Sequence, residues 1–211
     1  MIAIDGPAGA GKSTVARAVA DALGFTYLDS GAMYRCVALA ALRDGADLDD
    51  GSSVAEIARG LEIALRGGGV ELDGEDVTEA IRAPEVGEAA SRVSVHAGVR
   101  EAMVDRQRAL IAAGGHVAEG RDIGTVVSPD APLKVFLTAG DDERARRRAE
   151  QTGERIAEVV AAQRERDARD REREHSALRP AEDAVEIDTT GLSVAEVVER
   201  IVALARERGI E

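Results

Sequence analysis

Near the start of the chain, Gly6-Pro7-Ala8-Gly9-Ala10-Gly11-Lys12-Ser13-Thr14 has the types and spacing for one chemistry, the binding of a phosphate chain. The pattern is G-x-x-x-x-G-K-[ST], the P-loop. Its glycines let the backbone approach a phosphate with no Cβ in the way. The helix that follows the loop would aim unpaired N–H groups and its positive dipole end at the anion. Lys12 reaches the β- and γ-phosphates, and the Ser13 hydroxyl is placed to ligate Mg²⁺. Of the 27 basic residues only Lys12 and Lys134 are lysine. A chain that writes Arg almost everywhere puts a compact ammonium, not a planar fork, at this loop.

A triphosphate site needs a second site for whatever receives the phosphoryl group. Three further clusters are candidates. Asp29-Ser30-Gly31-Ala32-Met33-Tyr34-Arg35 lies where a strand ends and a helix starts, with Arg35 able to clamp a phosphate as a fork. Gly120-Arg121-Asp122 closes another strand. Eleven arginines fall between Arg144 and Arg179, and Arg166, Asp170 and Arg173 share one helix face at i, i+4, i+7. Such a run reads either as a solvated helix laced by ion pairs or as a basic lid that closes on the transferring group.

The elements that must hold these groups alternate. Ile2-Ala3-Ile4-Asp5 reads as a strand and the stretch from Val15 to Leu23 as a helix. Phe25-Thr26-Tyr27-Leu28 is a strand, followed by a helix capped by Ser30 that runs to Arg43 and is stopped by Gly45. Ser52 or Ser53 caps a helix over 54–59. Residues 61–77 then alternate with period two around Gly67-Gly68-Gly69 and Asp73-Gly74, as a small antiparallel insert does. Helical stretches are expected over 78–81, 84–92 and 97–113. Strands are expected at His116-Val117-Ala118-Glu119, at 133–138 and at 185–188. Helices are expected over 141–150 and 154–174, with a last one capped by Ser193. The fold class is α/β, a five-stranded parallel sheet with helices on both faces and a small antiparallel β insert. In such sheets ligands sit beyond the carboxyl ends of the strands, where the polar clusters fall.

Composition narrows the chemistry. A net charge of −13 and the lack of Trp oppose nucleic-acid binding, and no apolar run is long enough to span a membrane. Cys36 is the single cysteine, and His96, His116 and His175 form no ligand pair, which leaves Mg²⁺ on oxygens and phosphates as the expected metal. The chain enters its first strand at residue 2, so a cytoplasmic protein is expected.

At this point the sequence resembles the bacterial cytidylate kinases over nearly its whole length. The residues that carry the likeness are Ile4-Asp5-Gly6-Pro7 with the P-loop; Leu28-Asp29-Ser30-Gly31-Ala32-Met33-Tyr34-Arg35; Glu88-Ala89-Ala90-Ser91 with Val99-Arg100; Gly120-Arg121-Asp122-Ile123-Gly124-Thr125-Val126-Val127; Pro129-Asp130-Ala131-Pro132; Arg166-Asp167 with Asp170 and Arg173; and Asp188-Thr189-Thr190. The resemblance implies a P-loop kinase fold. Its core would be 1–60, 114–141 and 180–211, its monophosphate-binding insert 61–113 and its Arg-rich lid 142–179. It implies that CMP and dCMP are phosphorylated by ATP with Mg²⁺. Arg35, Arg121 and Arg173 would hold the acceptor phosphate. Arg166 and Asp170 would meet the ribose, and Ser91, Arg100 and Asp122 would read cytosine. Asp29, Ser30, Tyr34 and Glu119 complete the implied substrate site, and Lys12, Arg121, Arg166 and Arg173 the cations of the transfer. Two positions depart from the family pattern: Glu119 stands where Asp is frequent, and Ser176-Ala177-Leu178 replaces Ser-Pro-Leu.

The base-reading trio has a chemical logic. A carboxylate accepts from cytosine N4, an arginine donates to N3 or O2, and uracil would turn an oxygen toward the carboxylate. A kinase for UMP or shikimate is the nearest rival. A GTPase switch would need an Asn-Lys-x-Asp run, which the chain lacks. With all these roles on one chain, a monomer is expected.

Overall fold

A computed structural model describes residues 1–153, 155–172 and 178–210. Contacts divide the chain into two compact units, 1–28 with 113–211 and 29–112. The first begins with β1 (Ile2–Asp5), α1 (Lys12–Leu23) and β2 (Thr26–Asp29). Every residue of β1 is buried, as a central strand covered on both faces requires. Val15, Ala16, Val19 and Ala20 form the inner stripe of α1, and Gly24 ends the helix in the left-handed region.

The second unit holds α2 (Ser30–Arg43), α3 (Gly51–Gly60), the antiparallel strands β3 (Ile63–Arg66), β4 (Gly69–Leu72) and β5 (Glu75–Asp76), then α4 (Pro84–Val93) and α5 (Ala97–Ile111). Asp73 and Gly74 take positive φ of 51° and 82° in the turn joining β4 to β5, the pairing a tight hairpin demands. The core here is mostly alanine and aliphatic, with Met33, Val37, Val54, Val70, Leu72, Val86, Val99 and Met103 at its centre.

The chain then returns to the first unit with β6 (His116–Gly120), a π-helical turn at Ile123–Val127, β7 (Leu133–Thr138), α6 (Asp141–Thr152), α7 (Ile156–Glu172), β8 (Val185–Asp188) and α8 (Val194–Glu207). The sheet is five-stranded, ordered β2-β6-β1-β7-β8. Parallel registers pair Asp5 with Gly120 on one side and with Phe136 on the other. The last residues of the strands, Asp5, Asp29, Gly120, Thr138 and Asp188, form a polar carboxyl edge over a core of Ile2, Ile4, Val19, Leu133, Leu137, Ile187 and Ile201. No helix among the described residues is long and apolar enough to cross a membrane.

Several local expectations change. Asp29, not Ser30, caps α2 by accepting the Ala32 N–H at 2.9 Å. Asp50, not Ser52 or Ser53, caps α3 and accepts both serine N–H groups. In both helices a carboxylate upstream of the expected serine reaches first-turn N–H groups and suits the positive helix end better. Ser193 does cap α8, in a reciprocal box with Glu196. Gly69 belongs to β4 and not to the turn. Residues 29–60, expected within the core, group instead with 61–112, because α2 and α3 pack on α4 and α5. Glu154 and Glu174, the expected ends of the Arg-rich helix, lie outside the described residues, as do Arg173, Ser176 and Ala177.

Candidate active site

The P-loop is shaped by its glycines. Gly6 has φ of 151°, and a Cβ there would stand 2.1 Å from the Leu137 carbonyl oxygen, so β7 leaves no room for a side chain. Gly9 and Gly11 also take positive φ. No side chain caps α1 and no acid occupies its first turn. Its leading N–H groups are therefore left for an anion, unlike those of α2 and α3. Ser13 and Thr14 are exposed at that end.

Lys12 is buried and donates to the Pro7 carbonyl at 2.8 Å. Burial pushes its pKa down to about 7, and the nearby Arg121 and Arg166 cations add to the fall, against Glu119 and Asp5. Lys12 thus sits out of water with two guanidinium groups nearby, and the negative charge of a phosphate chain would favour its ammonium form.

Each neighbour is fixed by another element. Arg121, at the end of β6, donates through Nε to Asp170 of α7 at 2.8 Å. Burial works against its charge, but Asp170, together with Asp167 and Glu119, outweighs it and holds the guanidinium above its ordinary range. Asp170 is 1% exposed. Glu119, buried on β6, accepts the Tyr27 hydroxyl from β2, and Arg17 lies over the Tyr27 ring at 4.4 Å. Asp5 accepts N–H groups of Ile123 at 2.8 Å and Gly124 at 2.7 Å, which anchors the π turn that follows Asp122. Burial lifts the Asp5 pKa to about 6 in spite of those two bonds. Asp122 is buried beside it.

In the 29–112 unit, three of the expected residues cluster. The Arg100 guanidinium lies 5.6 Å from the Tyr34 ring centre and reaches the Ser94 carbonyl at 3.4 Å. Ser94 in turn donates to the Ser91 carbonyl at 3.0 Å. Ser91, Ser94 and Arg100 are all buried. Arg35 donates to the Ile81 carbonyl at 2.7 Å and flanks Gly87, which brings α2 against α4. Ser30 is buried on the first turn of α2 beside its cap, Asp29. Asp122, the third expected base reader, belongs to the other unit.

Sequence reasoning gave no role to Tyr27, Ser94, Arg144 or Asp167. One signal was present, since Tyr27 is one of only two tyrosines. Arg144 was hidden within the arginine run.

A cytidylate kinase family model matches residues 2–207. The chain belongs to the cytidylate kinase family. It is 49% identical over 215 residues to a cytidylate kinase of Solibacter usitatus, covering 99% of this chain and 93% of that one. It is 46% identical to a cytidylate kinase of Nitrosomonas eutropha, over 99% and 96% of the two chains. Among solved structures, a gluconokinase from Sinorhizobium meliloti superposes with a TM-score of 0.52 at 18% identity, over 99% of this chain and 93% of the other. That likeness shows the fold, an α/β P-loop architecture of parallel sheet and flanking helices. Within the cytidylate kinase family this member keeps its cation cluster in one unit and the Tyr34, Ser91 and Arg100 group in the other.

Proposed function

We propose that this chain transfers the γ-phosphoryl group of ATP to the 5′-phosphate of CMP and dCMP by direct in-line displacement. The observation that carries the reading is the crowding of Lys12, Arg121 and Arg166 behind an uncapped helix N-terminus, with a polar group suited to a base edge elsewhere on the same chain. The P-loop N–H groups and Lys12 hold the β- and γ-phosphates. Arg35, Arg121 and Arg173 take the acceptor phosphate. Arg166 and Asp170 take the ribose hydroxyls. Ser91, Arg100 and Asp122 select cytosine by donating to its acceptors and accepting from its amino group.

Catalysis rests on positioning and on spreading negative charge over fixed cations, with no covalent intermediate. Among the described residues no group of three or more His, Cys, Asp or Glu side chains is placed to hold a metal. The donor set that remains fits Mg²⁺: the Ser13 hydroxyl is a hard oxygen exposed at the start of α1, next to where the phosphates bind. When bound, Mg²⁺ supplies charge neutralisation to the β- and γ-oxygens. Glu119, held by Tyr27, is near enough to Lys12 to favour its charged form. Every role falls on one chain, which supports activity as a monomer.

The test is ADP release with ATP and Mg²⁺ against a panel of nucleoside monophosphates. CMP and dCMP are expected to lead. Strong turnover of AMP or dTMP with none of CMP would overturn the reading.

A further inference from the structure

Helix α7 docks in an unusual way. Val159, Gln163, Asp167 and Asp170 lie at i, i+4, i+8 and i+11, and all four are buried. Only the first is apolar. Two of the three polar members meet one residue of α6. Arg144 is 4% exposed and donates through one terminal nitrogen both to Asp167 at 2.7 Å and to the P-loop carbonyl of Ala8 at 3.0 Å. Its other terminal nitrogen binds Asp141 at 2.6 Å, and its own carbonyl accepts from Gln163 at 3.2 Å. The third, Asp170, holds Arg121.

The P-loop is closed around this residue. A Cβ on Gly9 would stand 3.0 Å from Arg144 Cβ, from the Arg144 carbonyl oxygen and from Gln163 Nε2. One turn further along α6, Arg147 donates to the Thr189 hydroxyl at 3.0 Å and to its carbonyl at 2.8 Å, and that hydroxyl reaches the Ala10 carbonyl at 3.3 Å. Two arginines of α6 therefore govern two carbonyls of the loop, and only Arg144 also grips α7.

We propose that Arg144 is a positioning residue that registers α7 against the P-loop through Asp167, so that Arg166 and Asp170 stand in place for the transfer. This inference rests on the kinase reading above. The geometry is a lever of short arms. Asp167 adjoins Arg166 and lies one turn before Asp170, so any slip of the Arg144–Asp167 pair moves both. The pair is directional, because a guanidinium offers fixed donors to a carboxylate and a carbonyl at once, which an ammonium cannot match. Among the described residues Arg144 Nε and Asp167 Oδ1 have no hydrogen-bond partner, so the Arg144–Asp167 link rests on a single bond.

Steady-state kinetics of Arg144→Lys, Asp167→Asn and the double variant, with ATP and CMP varied in turn, test this. The wild type is the internal control: if it fails to phosphorylate CMP, the kinase reading fails, whatever the variants do. If it succeeds, each single variant should lower kcat about 10-fold or more and raise KM for CMP, whose ribose Arg166 and Asp170 hold, while KM for ATP stays within about 2-fold. The double variant should be no slower than the worse single one, because both changes cut the same link. Folded variants with wild-type kcat would overturn the proposal. So would multiplying losses in the double variant, or a raised KM for ATP alone, which would make Arg144 a direct donor contact. Should Arg144→Lys or Asp167→Asn fail to fold, Asp167→Glu, which keeps the charge but lengthens the arm to Arg144 by one methylene, carries the same test: kcat about 3-fold lower supports the proposal and an unchanged kcat overturns it.

Discussion

The two compact units handle polarity in opposite ways. In the unit built on the parallel sheet, charges are buried and tied between elements: Asp5 to the π turn, Arg121 to Asp170, Arg144 to Asp167 and the P-loop. In 29–112 the core is alanine and aliphatic, and ion pairs such as Arg43–Glu75 and Arg92–Asp49 stay on the surface. Its buried polar residues are Ser30, Gln107 and a short chain of Ser91, Ser94 and Arg100. The difference follows from the tasks assigned above. Stabilising a moving phosphoryl group needs cations fixed before it arrives, and fixing them takes counter-charges. Reading a base needs shape and a few donors and acceptors.

That contrast can be broken at four points. The largest effect is expected from Lys12→Ala, which should lower kcat by about 10³-fold or more by removing the compact cation at the phosphates. A folded variant with near-normal turnover would remove the P-loop from the mechanism. Asp170→Asn comes next. It leaves the Arg121 guanidinium buried beside a neutral amide, costing about 3 kcal/mol of stability, and kcat/KM for CMP should fall roughly 10²-fold. Thermal melts and kinetics check both parts, and an unchanged melt would mean that the buried pair is not a structural tie.

Asp122→Asn should act on selectivity more than on rate. The amide can donate to uracil O4, so the ratio of kcat/KM for CMP over UMP should drop about 10-fold. An unchanged ratio would leave base reading to Ser91 and Arg100 in the other unit.

The smallest effect is a slope of stability with pH. Lys12 titrates near 7 when folded and at its ordinary value of 10.5 when unfolded. Across that window the unfolded chain binds more protons, so the ligand-free protein gains stability from this group as pH rises from 7 toward 10. Asp5 acts the other way at lower pH: its raised value makes the folded chain the better proton binder from about 4 to 6, so stability falls there as pH rises. Comparing melts of wild type and Lys12→Met between pH 7 and 10 isolates the first contribution. A constant difference between them would contradict the burial of the Lys12 ammonium, the main cause of its lowered pKa.

Much of this was legible in the sequence, for identifiable reasons. Strands β1 and β7 are short apolar runs between polar ends, and α1 and α8 carry clean buried stripes, so periodicity finds them. The P-loop is readable because its chemistry is contiguous. What stayed hidden is what depends on distant pairing. Asp29 and Ser30 are both good caps by type, and only the entry angle of the chain decides between them. The π turn at Ile123–Val127 has no local signal, since its first two N–H groups are taken by Asp5, more than a hundred residues earlier. In α7 the buried face is polar, so a search for apolar periodicity cannot tell it from a solvated helix.

The π turn has one further consequence, which concerns length and not composition. Its wide turn holds one more residue than an α-helical turn would. Deleting a single residue there would let the backbone relax into ordinary helix and rotate Ile123 and Gly124 away from the Asp5 carboxylate. Val126→Ala trims a side chain but keeps the count. The deletion of Val126 is expected to lower the melting temperature well beyond the substitution, and equal melting of the two would show that the segment does not count its residues.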